Sequence, residues 1–222
     1  EQGQSYLFEP FIKLGDLPTE FARMSILDDE SLTDVADKEH RYAELVKGTD
    51  YLNARLLADT WCSVFVWKKD TSDLGKLCPT ERGFRSIEDN PHSILPHVKS
   101  EVRRLADRYR FFHWHLAFPD VFRLPQEGSE AENVEAGWDA GFDVLLGNPP
   151  YGADQTKRER LLLNSSLVAA KSTANSAADF LVLGGLVQEC SGRTGLVVPK
   201  SLVRFMHAGK RVSNYYWVAI QP

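Results

Sequence analysis

The 222-residue sequence predicts an α/β protein, with a largely parallel sheet in its second half behind a mostly helical first half. Two patterns predict it. Beyond position 141, short β-type runs alternate with helix-type runs, and that alternation needs parallel strands joined by crossover helices. Before position 110, apolar residues recur at three- and four-residue spacing with charged residues between them. Chain length and a 43% hydrophobic content allow a core of ordinary size.

Asp28, Asp29, Glu30, Asp34 and Asp37 sit among scattered apolar positions in the first forty or so residues, a pattern of short helices joined by turns at Gly15-Asp16 and Leu17-Pro18. From Arg41 to Trp67, the apolar residues Tyr42, Leu45, Val46, Leu52, Leu56, Leu57, Trp61 and Phe65 trace a helical stripe with a break at Gly48. Trp61 and Trp67 read as core anchors. The stretch Asp70 to Pro96, rich in Gly, Pro, Ser and charge, predicts a long mobile loop, and Lys99 to Tyr109 returns to helix. His113 and His115 share a parity that places both on one side of a strand. Without nearby cysteines or a third ligand they read as packing residues, and no metal is expected.

Pro125 to Asp139 is acidic and turn-rich, a surface link. A buried strand follows from Gly141. Arg158 to Ala170 and Asn175 to Cys190 read as helices, Thr194 to Val198 as a strand stopped by Pro199, Leu202 to Lys210 as a helix and Asn214 to Ile220 as a strand. There is no internal repeat.

The run Gly141-Phe-Asp-Val-Leu-Leu-Gly-Asn-Pro-Pro-Tyr-Gly152 carries the chemistry. A hydrophobic strand ends directly in a turn where Asn148 brings a side-chain carbonyl, Pro149 and Pro150 fix φ and remove two backbone donors, and Tyr151 adds a flat π-face. A planar amino group fits such a turn. Its two N–H bonds would meet the Asn148 side-chain oxygen and the Pro149 main-chain oxygen while Tyr151 stacks on the attached ring.

The net charge of −5 argues against a chain that grips nucleic acid over its whole surface. Basic residues are instead local, at Lys99 to Arg110, at Lys157, Arg158 and Arg160, and at Lys200 to Arg211, each a phosphate contact or a solvated helix face. Cys62, Cys78 and Cys190 are widely spaced and odd in number, which suggests neither a disulfide frame nor a zinc site. The longest apolar stretch, Ala177 to Val187, is interrupted by Asp179 and is too short to span a bilayer, so no membrane is expected and a cytoplasmic setting is the default.

Asn-Pro-Pro-Tyr after a hydrophobic strand resembles the catalytic motif of S-adenosylmethionine-dependent amino-methyltransferases, above all the DNA adenine-N6 methyltransferases. The upstream run Phe111-Phe-His-Trp-His-Leu-Ala-Phe-Pro-Asp-Val-Phe122 and the downstream run Gly192-Arg-Thr-Gly-Leu-Val-Val-Pro-Lys-Ser-Leu202 are similar to the large type IIG restriction-modification methylases and to their relatives in phage-defence systems such as BREX and DISARM. The resemblance implies part of a Rossmann-like methyltransferase sheet over 111–222, with 1–110 as a helical accessory or insertion region. It implies methyl transfer from S-adenosylmethionine to the amino group of a flipped adenine in double-stranded DNA, in company with other restriction or defence subunits. Asn148, Pro149, Pro150 and Tyr151 become the catalytic set. Asn148 and Asp143 are the candidate cofactor contacts, with a solvated strand-entry acid the alternative for Asp143; Tyr151, Phe180, Lys157, Arg158 and Lys200 are the candidate DNA contacts.

One part of the pattern is missing. Relatives of this kind carry, upstream of Asn-Pro-Pro-Tyr, a glycine-rich turn after a strand for the cofactor, and this sequence has its paired glycines only downstream, at Gly184-Gly185 and Gly192 to Gly195. The expectation is a fragment carrying the acceptor half of an active site. Methylation of protein glutamine or of RNA, whose methylases share the motif, and a non-catalytic module completed by a partner stand as the alternatives.

Overall fold

A computed structural model describes residues 17–123, 125, 129–134, 136–150, 160, 176–198 and 216–220. These fall into two compact units that divide between Asp120 and Val121.

The first unit is helical: α1 (Leu17–Ser25), α2 (Leu32–Leu45), α3 (Thr49–Val66), α4 (Asp73–Lys76), α5 (Glu81–Asp89), α6 (Pro96–Tyr109) and α7 (Trp114–Ala117), with a 3-10 turn at Pro91–Ser93. The start signals lie in the sequence. Ser31 accepts from the Asp34 backbone N–H while the Asp34 side chain takes the Ser31 N–H, a reciprocal cap that opens α2. Gly48 forms the break between α2 and α3.

The central helix is α3, buried at Ala54, Leu56, Leu57, Ala58, Asp59, Thr60, Ser63 and Val66 and packed on α5, α6 and α7. Its buried hydroxyls stay satisfied, Thr60 donating to the Leu56 carbonyl and Ser63 to the Thr60 carbonyl, both at 2.7 Å. Leu17 and Phe21 of α1, Ala54 and Ala58 of α3 and Leu116 of α7 close one core. Each fully buried large apolar side chain contributes about 1.5–3 kcal/mol. Trp67 is an anchor as expected, 1% exposed with its indole N–H donating to the Leu74 carbonyl at 3.0 Å. Trp61 is half-buried and packs edge-on against Phe84 at 5.3 Å.

The expected loop from Asp70 to Pro96 is largely helical. Ser72, Thr80 and Asn90, which give the stretch its loop-like composition, are N-caps: Ser72 accepts from Gly75 N–H, Thr80 from Gly83 N–H and Asn90 from His92 N–H. Phe84 and Ile87, three apart, bury the inner stripe of α5. The shared strand face expected for His113 and His115 is also overturned, because Trp114–Ala117 forms the single helical turn α7.

The second unit holds β1 (Phe142–Gly147), β2 (Gln188–Val198) and β3 (Tyr216–Ile220), ordered β1-β2-β3 with both pairs parallel. The parallel α/β expectation holds at this level. Phe122, 1% exposed, packs edge-on against Trp138 at 5.9 Å and Phe142 at 5.3 Å and so fixes the entry to β1.

Helix α8 (Ser176–Val187) covers one face of the sheet, with Ala177, Ala178 and Leu181 packed on Leu196, Val198 and Leu145. Close approach needs Gly184, where an added Cβ would lie 2.7 Å from Leu145 Cδ2. Gln188 to Cys190, expected to finish the helix, belong to the strand instead. Pairing with a distant segment decides this: Phe142 faces Gln188, and after an irregularity Val144 faces Arg193, so the strand begins far earlier than its local pattern announces. The helices expected at 158–170, apart from Arg160, and at 202–210 lie outside the described residues. No helix among the described residues is long and apolar enough to cross a membrane.

Candidate active site

Strand β1 delivers the Asn-Pro-Pro turn. Its last residue, Gly147, faces Leu196 in register, and a Cβ there would meet Leu196 Cδ2 at 3.1 Å, so glycine lets the two strand ends approach closely. Asn148 is exposed, Pro149 buried and Pro150 exposed. The buried proline pins the middle of the turn to the protein while its two neighbours face outward.

A second fastening comes from α8. Ser176, its first residue and 4% exposed, donates its hydroxyl to the Pro150 carbonyl at 2.6 Å. That bond holds the carbonyl of the residue that follows Pro149, whose own carbonyl is the one the sequence assigns to an acceptor amine. Sequence reasoning overlooked Ser176. A signal was present, since Ser176-Ala-Ala-Asp179 has the Ser-x-x-Asp spacing of a helix start ahead of an apolar run.

Phe180 projects from the same first turns of α8 and is 46% exposed, with Asp179 partly buried beside it. At 1.5 Å of rise per residue Phe180 stands about 6 Å along the axis from Ser176. Asp143 is exposed near the opposite, N-terminal end of β1. Asn148 and Asp143 thus occupy opposite ends of one strand. Tyr151, Lys157, Arg158 and Lys200 lie outside the described residues.

The histidine pair belongs to the helical unit. His113 Nε2 is 2.7 Å from Asp59 Oδ1, both side chains being 9% exposed, and Arg55 Nε approaches Asp59 Oδ2 at 3.6 Å. Burial and the adjacent His113 push His115 down to about 4, so its ring is neutral at physiological pH. Cys62 is pushed up to about 11 by burial and then by Asp59, which makes it an inert thiol. A cleft of about 880 Å³ between the ends of α1, α2 and α3 contains none of the expected site residues.

The second unit is thus an α/β sheet whose turn of interest lies at the carboxyl ends of parallel strands, where open α/β sheets receive their ligands. It belongs to a methylase. The chain is a member of the Eco57I restriction-modification methylase family, whose model matches residues 35–218. Comparison with curated proteins finds no match, and comparison with solved structures finds none.

A methyl donor of nucleoside type needs a backbone cradle, and Gly141, Gly184 and Gly192 do not offer one. A Cβ at Gly141 would meet the backbone of Gln188 and Glu189 at 2.5 Å, one at Gly184 would meet Leu145, and one at Gly192 would meet the Gln188 side chain at 2.5 Å. Each of these glycines is filled by protein. These three glycines do not supply a donor's cradle.

Proposed function

We propose that this chain takes part in site-specific methylation of DNA at the N6 amino group of adenine, with S-adenosylmethionine as the methyl donor and a Rossmann-like sheet as its frame. The observation that carries the proposal is the Asn148-Pro149-Pro150 turn at the end of β1, fastened by the 2.6 Å bond from Ser176 to the Pro150 carbonyl. The methylase family supports the reaction type, and restriction-modification supports DNA as the substrate.

The chain's own residues act on the amine. The Asn148 side-chain oxygen and the Pro149 carbonyl accept its two hydrogens. As the nitrogen leaves conjugation with the ring and becomes tetrahedral and partly positive, both contacts strengthen, so they favour the transition state over the planar ground state. Two rigid acceptors achieve this without a strong base. Tyr151 and Phe180 offer aromatic faces to the extruded base, offsetting an unstacking cost of a few kcal/mol with about 1–3 kcal/mol per stacked ring. Lys157, Arg158 and Lys200 supply phosphate contacts.

Asn148→Ala tests the proposal. Methyl transfer to adenine-containing duplex should fall by about 10²-fold or more, with N6-methyladenine as the wild-type product, while unfolding midpoint and donor affinity stay at wild-type values. Unchanged turnover in the variant, or methyl groups recovered on protein or RNA and none on adenine, would overturn it.

A further inference from the structure

The run that follows α6 presents a surface the active site does not use. Phe112 is 59% exposed and Phe118 38% exposed, and Trp114 lies between them, meeting Phe112 edge-on at 4.9 Å and stacking on Phe118 at 6.1 Å. Phe112 and Phe118 are exposed, and the half-buried Trp114 joins them into one aromatic cluster. Its backing is rigid, because the intervening His113 is tied to the buried Asp59 at 2.7 Å and Leu116 is 2% exposed in the core.

Positive charge directly precedes the same cluster in the chain. The Arg108 guanidinium lies 5.5 Å over the Tyr109 ring, which stacks on Phe111 at 6.2 Å and 12°. Arg110, exposed and in the left-handed conformation at φ 50°, turns the chain out of α6, and two residues on stands Phe112, at most about 7 Å away along the backbone. Residues 99–110 hold five basic side chains against two acidic ones, whereas 28–44 hold seven acidic side chains against Lys38 and Arg41. In an acidic protein, cations are concentrated in the segment that leads into the exposed rings.

We propose that Phe112, Trp114 and Phe118, flanked by Arg108 and Arg110, form a platform that binds DNA by stacking unpaired bases and neutralising the adjoining phosphates. An apolar protein partner would match the rings and leave the arginines unanswered. Paired bases within a duplex hide the faces the rings need. Unpaired DNA offers both π-faces and phosphates at alternating positions along one strand. The choice of DNA over RNA rests on the function proposed above; the platform itself rests on its own geometry.

The test is fluorescence anisotropy of the full chain with a labelled single-stranded oligodeoxynucleotide and with its duplex, over a salt series. Phe112→Ala/Phe118→Ala should weaken single-strand binding by about tenfold or more and duplex binding by less. Arg108→Gln/Arg110→Gln should flatten the slope of log affinity against log salt by about 1.4. All four side chains are at least partly exposed, and unchanged unfolding midpoints will check that the variants fold. Single-strand affinity unaltered in the phenylalanine pair, no affinity in the wild type, or displacement of the strand only by acidic polypeptide would overturn the platform. The two proposals fail separately. Single-strand binding without methyl transfer leaves the platform standing, and methyl transfer with unaltered binding in the variants removes the platform alone.

Discussion

Replacing Ser176 with alanine removes one hydroxyl from a buried position and breaks the 2.6 Å bond to the Pro150 carbonyl. Pro150 is exposed, so water can take over part of the lost hydrogen bond. The stability cost therefore falls near the middle of the usual range for a single bond, about 1 kcal/mol, well below the figure for a stranded buried acceptor. For a chain of this size that lowers the midpoint by about 2–4 °C. The effect on chemistry should be far larger. The bond holds the peptide next to the Pro149 carbonyl, and a displacement of about 1 Å at a reacting group costs on the order of 10²-fold in rate. Denaturant unfolding and methyl-transfer kinetics, run on Ser176→Ala and on Ser176→Thr, separate the two effects. A drop in kcat with unchanged KM for DNA, restored by threonine, fits a positioning residue. If Ser176→Ala loses the 1 kcal/mol and keeps full kcat, the prolines alone set the turn and the reasoning is wrong.

Three further outcomes follow from the same contacts. His115 is held neutral in the folded chain by burial and by His113, with its pKa near 4 against 6.5 when exposed, so the unfolded chain takes up the proton first. Its contribution is complete above about pH 6.5 and is lost as pH falls toward 4, by up to about 3 kcal/mol; the difference in unfolding free energy between wild type and His115→Gln should shrink across that window. Asp59→Ala strands His113 at a site only 9% exposed and should cost about 2–3 kcal/mol by denaturant titration, with Asp59→Asn milder, whereas equal small losses would make the pair incidental. Gly184→Val forces a β-branched side chain into the space where a Cβ already lies 2.7 Å from Leu145 Cδ2, and should destabilise by about 1–3 kcal/mol; a stabilised variant would mean that α8 stands further from the sheet.

What could be read from the chain alone was what is local. The Asn148 turn is four consecutive residues, each with a stated chemistry. The stretch from Arg41 to Trp67 is helical on both sides of its expected break at Gly48, although Tyr42, Leu52 and Phe65 of its apolar stripe stand exposed and Leu56 and Leu57 carry the burial. Composition misled where one residue type serves two ends. Ser72, Thr80 and Asn90 make loops and also start helices, and only the buried Phe84 and Ile87 reveal which applies. Long-range pairings left no mark in the sequence. Gln188 joins a strand because Phe142 lies opposite, Asp59 meets His113 across 54 positions, and Ser176 reaches a carbonyl 26 residues earlier. Periodicity records which face of an element is buried, not which atom waits on the other side.

The irregular pairing at the start of the sheet also sets where this fold can vary in length. Between the Phe142–Gln188 and Val144–Arg193 pairs one strand spends a single residue and the other four, and from Val144 onward the pairing runs without interruption to Gly147 and Leu196. All the slack is gathered at the entry end, and Ser191 within it is exposed. An insertion or a reporter peptide between Glu189 and Ser191 would lengthen a detour and leave the distance from Gly147 to Leu196 unchanged. That detour is where lineages could add or lose residues, and where a label could be carried, while the Asn148 turn keeps its place.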